Sequence, residues 1–378
     1  MILENQRELF EIPEDVAYLN CAYMSPQLRS MREIGERAVA RKSRPWEITP
    51  DDFFEDAEKT RALFGLLVGA EADGIALIPS VSYGMAVAAA NVKVELEENL
   101  LILEDQFPSN VYPWRELAVQ KGAKLLTVPR PADHDWTSAV LGHLDENTAV
   151  VAIPNCHWTD GSLVDLVRVG QRAREVGAAL VVDGIQSLGA HPFNVAEVKP
   201  DFLVASAYKW LLGPYGVGFL YVGEEYREGV PIEHNWINRR GSEDFSLLVD
   251  YQDAFQPGAR RYDVGERSNF VLLPMANESL RQILTWGVEN ISESLGELTN
   301  LIEEEAKKRS IEAIPAKRRA RHMIGLKLGS AIRKDLAARL TREKIFVSVR
   351  GESVRISPHL YSTAEDVDRL FAALVEAV

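Results

Sequence analysis

Short apolar runs alternate with longer amphipathic stretches along the chain from about residue 60. The apolar runs predict β-strands at residues 75–79, 100–104, 124–128, 149–154, 179–183, 202–205 and 217–222. The amphipathic stretches predict helices at residues 83–92, 112–120 and 163–176. Such alternation is typical of an α/β domain with a mainly parallel sheet. Residues 149–153 and 179–182 are apolar throughout, as expected for strands that helices cover on both faces.

The pattern changes after residue 222. Residues 223–265 form a long polar connection rich in Arg and Asp, and connections of this length are usually functional or interfacial. Beyond it, the pattern predicts helices at residues 275–288, 291–308, 332–343 and 364–378, and strands at 322–328, 345–349 and 354–357. We therefore expect a large α/β domain over residues 15–265, and a small α+β domain over residues 266–378 together with residues 1–14.

The composition narrows the classes of protein to which the chain can belong. With 42 Lys and Arg against 56 Asp and Glu, the formal net charge of −14 argues against nucleic acid or an anionic membrane as the main partner. No apolar run approaches the roughly 20 residues that span a bilayer. Two cysteines and an acidic N-terminus without a signal-peptide pattern predict a cytoplasmic protein without a disulfide framework. No motif with metal-ligand spacing is present, so we expect no metal.

Two predicted strand ends carry residues suited to cofactor chemistry. The strand at 179–183 ends on Asp183 and turns toward Gln186, and Lys209 follows the next strand in the apolar and aromatic segment AYKWLL. A carboxylate or an ammonium in such surroundings is costly unless it is paired or chemically used. Pyridoxal phosphate (PLP) uses both a carboxylate and a lysine. Its ring nitrogen stays protonated beside a carboxylate, and its aldehyde condenses with a lysine amine. These residues therefore predict a PLP site.

Three further segments fit a PLP enzyme, two at the cofactor and one at the substrate, and each has a structural alternative. The backbone amides of Val81 and Ser82 and the Ser82 hydroxyl stand at a helix start, where they suit a phosphate, although a Ser there is ordinarily just a cap. Phe107 follows a predicted strand and suits stacking on a planar ring or packing in the core. Arg355 in an apolar strand suits two hydrogen bonds to a substrate carboxylate. Arg350 is the neighbouring candidate, and a structural salt bridge is the alternative.

Four segments together resemble the class V aminotransferase family of fold-type I PLP enzymes, which includes cysteine desulfurases, kynureninases and isopenicillin N epimerase-like proteins. They are YLNCAYMSP (18–26), DGIQ (183–186), SAYKWLLGP (206–214) and VRISPHLYSTAEDVDRL (354–370). The resemblance implies a large domain with a seven-stranded, mainly parallel sheet flanked by helices, and a small C-terminal domain. It also implies an amino acid substrate and a homodimer whose active sites lie at the interface.

The resemblance implies a role for each site residue. Lys209 would form the Schiff base with the cofactor, and Asp183 would pair with the pyridine nitrogen. The other implied cofactor contacts are Gln186 at the 3-hydroxyl oxygen, Phe107 on the ring, and Ser82, Ser206 and Tyr208 at the phosphate. Arg355 would bind the substrate α-carboxylate.

The segment at residues 258–270 matches the stretch that reaches the partner subunit's phosphate in dimers of this family. Here Gly265 and Glu266 replace the usual Gly-Thr pair, and Ser268 lies downstream. Ser268 is therefore the predicted cofactor contact in this segment.

Departures from the family pattern reduce the number of activities that the chain is expected to have. Desulfurases carry a cysteine on the loop before the carboxylate arginine, and here that loop, FVSVRGESVR, has none. Desulfurases also stack a histidine on the ring where this chain has Phe107, and kynureninases usually have a histidine where Gln186 stands. We therefore favour an aminotransferase. A PLP-dependent C–S lyase, a kynureninase-like hydrolase, an epimerase and a non-catalytic PLP-binding protein are the alternatives.

Overall fold

The computed structural model of the chain describes residues 1–329, 335–350 and 352–375. Its strands are β1 (Ala17–Tyr18), β2 (Ile75–Ile78), β3 (Asn99–Leu103), β4 (Lys124–Val128), β5 (Thr148–Pro154), β6 (Ala179–Asp183), β7 (Phe202–Ser206), β8 (Gly218–Val222), β9 (Glu312–Ala313), β10 (Ile324–Lys327), β11 (Ile345–Phe346), β12 (Ser348–Arg350) and β13 (Ser353–Ile356). Its helices are α1 (Arg29–Lys42), α2 (Glu55–Val68), α3 (Val81–Asn91), α4 (Tyr112–Lys121), α5 (Trp136–Leu141), α6 (Leu166–Val176), α7 (Val195–Val198), α8 (Leu272–Trp286), α9 (Val288–Lys308), α10 (Leu336–Arg342) and α11 (Ala364–Val375).

The seven strands predicted before residue 223 form one sheet, in the order β2-β8-β7-β6-β5-β3-β4. The predicted bounds of each strand differ from the observed ones by one residue at most. The strands are parallel except β8, which runs antiparallel to its neighbours β2 and β7. The predicted mainly parallel, seven-stranded sheet is therefore confirmed.

Helices cover this sheet on both faces, so alternate residues of one strand enter different cores. In β6, Leu180 and Val182 pack in one hydrophobic core and Val181 packs in the other. The first core also contains residues of α2, α6 and α8, whereas the second contains residues of α3 and α4. Every residue of β5, β6 and β7 is buried, which explains why residues 149–153 and 179–182 are apolar throughout.

A smaller antiparallel sheet lies in the C-terminal part of the chain, in the order β12-β13-β10-β9. It packs with α9 and α11 in a third hydrophobic core that includes Ile302, Ile356 and Phe371. Strand β1 pairs in parallel with β11, which attaches the N-terminal segment to this part of the chain. The predicted domain boundary at residue 265 stays a prediction.

Three helices of the N-terminal half, α1, α2 and α5, carried no clear signal in the sequence. Helix α1 buries only Met31 and Gly35, and Leu28 at its start offers no side-chain cap. Helix α6 begins at Leu166, later than predicted, because the Asp165 side chain caps it by accepting a hydrogen bond from the backbone N–H of Arg168 (3.1 Å). Local cues therefore identified the strands better than the helix starts.

The C-terminal elements also differ in detail from the prediction. Residues 345–349, predicted as one strand, form two: β11 pairs with β1, and β12 pairs with β13. The predicted helix at 332–343 corresponds to α10, and its residues 332–334 lie outside the described part, as do residues 376–378 of the closing helix. Residues 223–265, all described, contain 3-10 turns but neither an α-helix nor an extended strand, as predicted. Within the described ranges, no helix combines the length and apolar character needed to cross a bilayer.

Candidate active site

The candidate site lies at the carboxyl edge of the large sheet, where its parallel strands end side by side. Asp183 is the last residue of β6, and Ser206 is the last residue of β7. Lys209 follows three positions later and is buried. Strands β6 and β7 are hydrogen-bonded neighbours, so the two predicted strand ends meet in space as expected.

Asp183 and Lys209 line one cavity, and burial shifts the pKa of each in the direction that favours its neutral form. The pKa of Asp183 is raised because the carboxyl group is buried, although its Oδ1 accepts a hydrogen bond from the backbone N–H of Ile185 (3.1 Å). The pKa of Lys209 is lowered by burial first and then by the charge of Arg355, while Asp183 opposes the shift. Burial therefore increases the fraction of the Lys209 amine that is neutral, the form that attacks a carbonyl.

Aromatic rings enclose the Lys209 amine. Its Nζ lies 5.6 Å from the ring centroids of both Phe107 and Tyr208. Phe107 is 40% exposed and meets Trp158 edge to face, with ring centroids 5.5 Å apart. A Phe that is partly open to a cavity has a free face for a planar ring, unlike a core Phe.

The cavity brings together four of the predicted site residues, Phe107, Asp183, Gln186 and Lys209. Its remaining lining consists of Gln106, Asn110, Pro154, Cys156, Ile185 and Trp158. Cys156 and Trp158 were not proposed as site residues, yet they directly follow the end of β5, the strand next to β6. The rule that singled out Asp183, a residue at the carboxyl end of a central strand, would have found them as well.

The Gln186 amide has a defined orientation. The indole Nε1–H of Trp210 can only donate, and it donates to Gln186 Oε1 (3.0 Å). Gln186 Nε2 donates to the backbone oxygen of Ala22 (3.2 Å), and the backbone oxygen of Gln186 faces the His322 Nε2 at 2.6 Å. One N–H of the amide is left for the cavity, which fits a hydrogen bond to an oxygen of the cofactor.

Val81 and Ser82, which are predicted to bind the phosphate, stand at the start of a helix as expected, but the residue that caps this helix is Ser80. Helix α3 starts at Val81, and Ser80 caps it by accepting a hydrogen bond from the backbone N–H of Tyr83 (3.3 Å). The Ser82 side chain is exposed, with its Oγ 2.9 Å from the Ser80 hydroxyl. Because the first backbone N–H groups of a helix lack intrahelical acceptors, Val81 and Ser82 present donors of the kind that bind phosphate.

The other residues predicted at the phosphate lie in different surroundings. Ser206 is buried at the end of β7, and Tyr208 is half-buried with a pKa that burial raises. The Ser268 hydroxyl donates to the backbone oxygen of Phe53 (2.5 Å) and is not among the residues that line the cavity of this chain. Its predicted contact with a partner's cofactor stays a prediction.

Arg355 is a buried cation without a carboxylate partner among the described residues. Its Nη1 donates to the backbone oxygen of Trp158 (2.6 Å) and its Nη2 to Ser348 Oγ (3.3 Å), while its Nε lies buried without an acceptor. Burial, and then the charge of Arg350, lower its pKa to about 9. Within the described residues, Arg355 makes no structural salt bridge, and its guanidinium has capacity for an anion.

The fold of the chain is shared with solved structures of PLP enzymes. The apo structure of a cysteine desulfurase from Thermococcus onnurineus NA1 aligns with a TM-score of 0.84 at 20% identity, over 100% of this chain and 99% of that chain. The cystine C-S lyase C-DES, solved with its reaction product cysteine persulfide, aligns with a TM-score of 0.85 at 15% identity, over 96% of this chain and 98% of that chain. The fold is that of the fold-type I PLP enzymes.

The family is shown by sequence. The model of the aminotransferase class-V family matches residues 44–370, and the chain belongs to that family. A relative, the uncharacterized aminotransferase YcbU of Bacillus subtilis (strain 168), is 26% identical over 332 residues, which are 83% of this chain and 81% of the relative. The protein is accordingly a PLP-dependent enzyme of the class V family.

The cavity also fits PLP on physical grounds. Asp183 is a buried carboxylate that makes no ion pair within the described residues, and a protonated pyridine nitrogen would compensate it. Lys209 offers a buried amine, and Gln186 offers a free N–H. These donors and acceptors match the ring nitrogen, the aldehyde and the 3-hydroxyl oxygen of the cofactor.

Proposed function

We propose that the protein is an aminotransferase that acts on an amino acid, with PLP attached to Lys209. The observation that carries the proposal is the setting of the Lys209 amine: it is buried, its pKa is lowered, and it shares the cavity with Asp183 and the face of Phe107. PLP, when bound, withdraws the electron pair that a lost proton leaves on the substrate Cα carbon. The protein's own residues decide where that proton goes.

Each proposed role follows from the group and its surroundings. Asp183 keeps the pyridine nitrogen protonated, and Phe107 holds the ring by stacking. Arg355 orients the substrate through its α-carboxylate. Lys209, once the substrate amine takes its place, would be the base near the substrate, and burial lowers its pKa, which increases the neutral fraction of its amine. Its Nζ would take the proton from the substrate Cα carbon and hold it for return, and the bound PLP would supply the electron withdrawal that lets transamination yield a keto acid.

A C–S lyase is the second candidate, because relatives with that chemistry share the fold. C-DES is a cystine C-S lyase, and its complex contains cysteine persulfide. A desulfurase with a persulfide on its own cysteine is disfavoured, because Cys21 and Cys156 are both buried with raised pKa values and the loop between β12 and β13 contains no cysteine. A lyase that leaves the sulfur on its substrate has no such requirement.

The activity is tested by incubating PLP-loaded protein with a panel of amino acids and analysing the products. For an aminotransferase, we expect a keto acid and the pyridoxamine form of the cofactor in equal amounts when no amino acceptor is present. Pyruvate with sulfide or persulfide, while the cofactor stays in its pyridoxal form, would instead identify a lyase. Lys209→Ala should abolish turnover, whereas Lys121→Ala, at an exposed lysine, should leave it unchanged.

We also propose that the protein is a homodimer in the cytoplasm, with two domains per chain divided near residue 265. Large apolar side chains of the 223–265 segment are exposed, among them Leu247, Val249 and Tyr251, which supports an interface there. Light scattering should give the molar mass of a dimer. Ser268→Ala should weaken PLP binding if this residue reaches the partner's phosphate, and a monomer with unchanged PLP affinity would contradict both points.

A further inference from the structure

A second, larger cleft opens beside the cofactor cavity, with a volume of about 680 Å³. Gln106 and Trp158 line both spaces. The far wall of the cleft comes from the smaller sheet, through residues of β9, β10, β12 and β13. A substrate held in the cavity by its α-amino and α-carboxylate groups therefore has this cleft as the adjoining space for its side chain.

Of the cations that line the cleft, two already have carboxylate partners. Arg130 pairs with Asp160 (2.5 Å), and Lys327 lies 3.8 Å from Glu312. Arg350 makes no ion pair with any residue that the structure describes. Its guanidinium carbon lies 5.4 Å from the Trp158 ring centroid, and its Nε is buried without a hydrogen-bond acceptor.

The cleft also contains carboxylates, and these differ from Arg350 in their hydration. Asp105 and Glu352 line the cleft without ion pairs in the described part, but both residues are exposed. Water therefore satisfies them in the absence of a ligand. Arg350 is only partly accessible, and its buried Nε has no such compensation.

Arg350 and Arg355 contact the same tryptophan, one at its ring and the other at its backbone oxygen. Arg355 donates to the Trp158 backbone oxygen, and Arg350 stacks on the Trp158 ring. Two neighbouring guanidinium groups without carboxylates repel each other, and the charge of Arg350 contributes to the lowered pKa of Arg355. A ligand with two separate anionic groups would relieve both costs at once.

We propose that the substrate is an amino acid with an anionic side chain, an amino dicarboxylate, which Arg355 binds by the α-carboxylate and Arg350 binds by the side-chain carboxylate. This inference rests on the proposed function, since it takes Arg355 as the α-carboxylate site. It makes Arg350 the residue that determines specificity. Trp158, which lines both the cavity and the cleft, contacts both guanidinium groups.

Binding without turnover gives the first test. Calorimetry on the PLP-loaded protein would compare glutarate with pentanoate, which has the same carbon chain and one carboxylate fewer. We expect glutarate to bind at least about 10-fold more tightly to the wild type, and Arg350→Gln to remove most of this difference. Lys327→Gln, at an exposed cation of the same cleft, should preserve it. Equal affinities in the wild type, or a difference that persists in Arg350→Gln, would overturn the proposal.

Turnover separates this proposal from the proposed function. We expect kcat/KM for glutamate or aspartate to exceed that for norvaline or 2-aminobutyrate, and Arg350→Gln to lower only the values for the acidic substrates. If neutral amino acids are converted equally well, the specificity proposal fails and the aminotransferase stands. If glutarate binds through Arg350 but no amino acid is converted, the binding site formed by Arg350 and Arg355 is supported and the proposed aminotransferase activity is contradicted.

Discussion

Arg61 and Arg267 lie in one buried region and Arg355 lies in another, and the two regions differ in what neutralises the charge. Arg61 and Arg267 converge on Asp263, with Arg61 Nη2 at 2.8 Å and Arg267 Nη1 at 2.6 Å from Asp263 Oδ2, and all three side chains are fully buried. Arg355 is equally buried, but it contacts only a backbone oxygen and the Ser348 hydroxyl. The first region contains its own counter-charge, whereas the second has none among the described residues.

The difference shows how to separate structure from function among buried charges. Asp263 Oδ1 also accepts a hydrogen bond from the backbone N–H of Leu77 (2.6 Å), so this carboxylate attaches the 258–267 segment to β2. A network with compensated charges of this kind supports the fold. A buried cation with an unused donor contributes nothing comparable to stability, and we therefore interpret Arg355 as a binding residue. The substitutions below examine this contrast.

Removing the shared carboxylate should have the largest effect. In Asp263→Ala, Arg61 and Arg267 would keep their charges without a common partner, and we expect the free energy of unfolding to fall by about 3–5 kcal/mol. Urea denaturation followed by circular dichroism measures it. Asp73→Ala, which removes a half-exposed partner of Arg260, is the control and should cost about 1 kcal/mol or less. If the free energy of unfolding fell by less than about 1 kcal/mol in Asp263→Ala, the contrast between the compensated and the uncompensated region would be contradicted.

Removing the uncompensated arginine should affect activity and spare the fold. For Arg355→Met we expect kcat/KM for the best amino acid to fall about 100-fold, equivalent to about 3 kcal/mol, mostly through KM. The free energy of unfolding should stay the same or increase, because a costly buried charge is gone. Arg355→Lys should be intermediate, since it keeps the charge and loses the planar fork. An unchanged KM in Arg355→Met would move the α-carboxylate site to Arg350.

A buried histidine sharpens the contrast, because a histidine is readily neutral at ordinary pH, whereas an arginine stays charged there. Both ring nitrogens of His359 lack hydrogen-bond partners in the described chain, and burial lowers its pKa to about 3. Between pH 6.5 and 3, His359 is therefore protonated in the unfolded chain and neutral in the folded one. The contribution of His359 to the free energy of unfolding is complete above pH 6.5 and is lost as the pH falls below that value.

We expect His359→Phe to lose about 2 kcal/mol less stability than the wild type when the pH is lowered from 7.5 to 5. Urea denaturation at both pH values measures the difference. His143→Phe, at an exposed histidine, should leave the pH dependence unchanged. Parallel pH profiles for the wild type and His359→Phe would contradict the neutral, buried state of this residue.

The smallest effect concerns a neutral hydrogen bond beside the cofactor. Trp210→Phe removes the donor that orients the Gln186 amide, and we expect PLP to bind about five-fold more weakly, equivalent to about 1 kcal/mol. Fluorescence titration of the apoprotein with PLP measures this affinity. Trp286→Phe, a buried tryptophan outside the cofactor cavity, is the matched control. Equal PLP affinity in Trp210→Phe and the control would show that Gln186 needs no such support.

The sequence predicted the seven-stranded sheet and the placement of Asp183 and Lys209 well, because both depend on local patterns. A strand that is buried on both faces is a continuous apolar run, and the first polar residue after it marks the carboxyl edge of the sheet. Helix α1 was missed because few of its residues face a core. An element can therefore be predicted from the sequence only where its own residues carry a clear pattern of apolar and polar positions.

The partners of the site residues could not be predicted, because they lie far away along the chain. The Gln186 amide donates to a residue 164 positions earlier, and Arg355 donates to one 197 positions earlier. The sequence indicates an arginine in an apolar strand but not whether a carboxylate faces it. Only the folded chain shows that none of the described carboxylates does, and this observation supports our interpretation of Arg355 as a binding residue.

The attachment of PLP to Lys209 is the central claim, and a visible absorption spectrum with reductive trapping tests it most directly. The protein is mixed with PLP, its spectrum is recorded, and it is treated with borohydride before peptide mapping by mass spectrometry. We expect a yellow band in the wild type that is lost or altered in Lys209→Ala, and a reduced adduct on the peptide that contains Lys209. No band after PLP addition, or an adduct only on another lysine such as Lys199, would contradict the account.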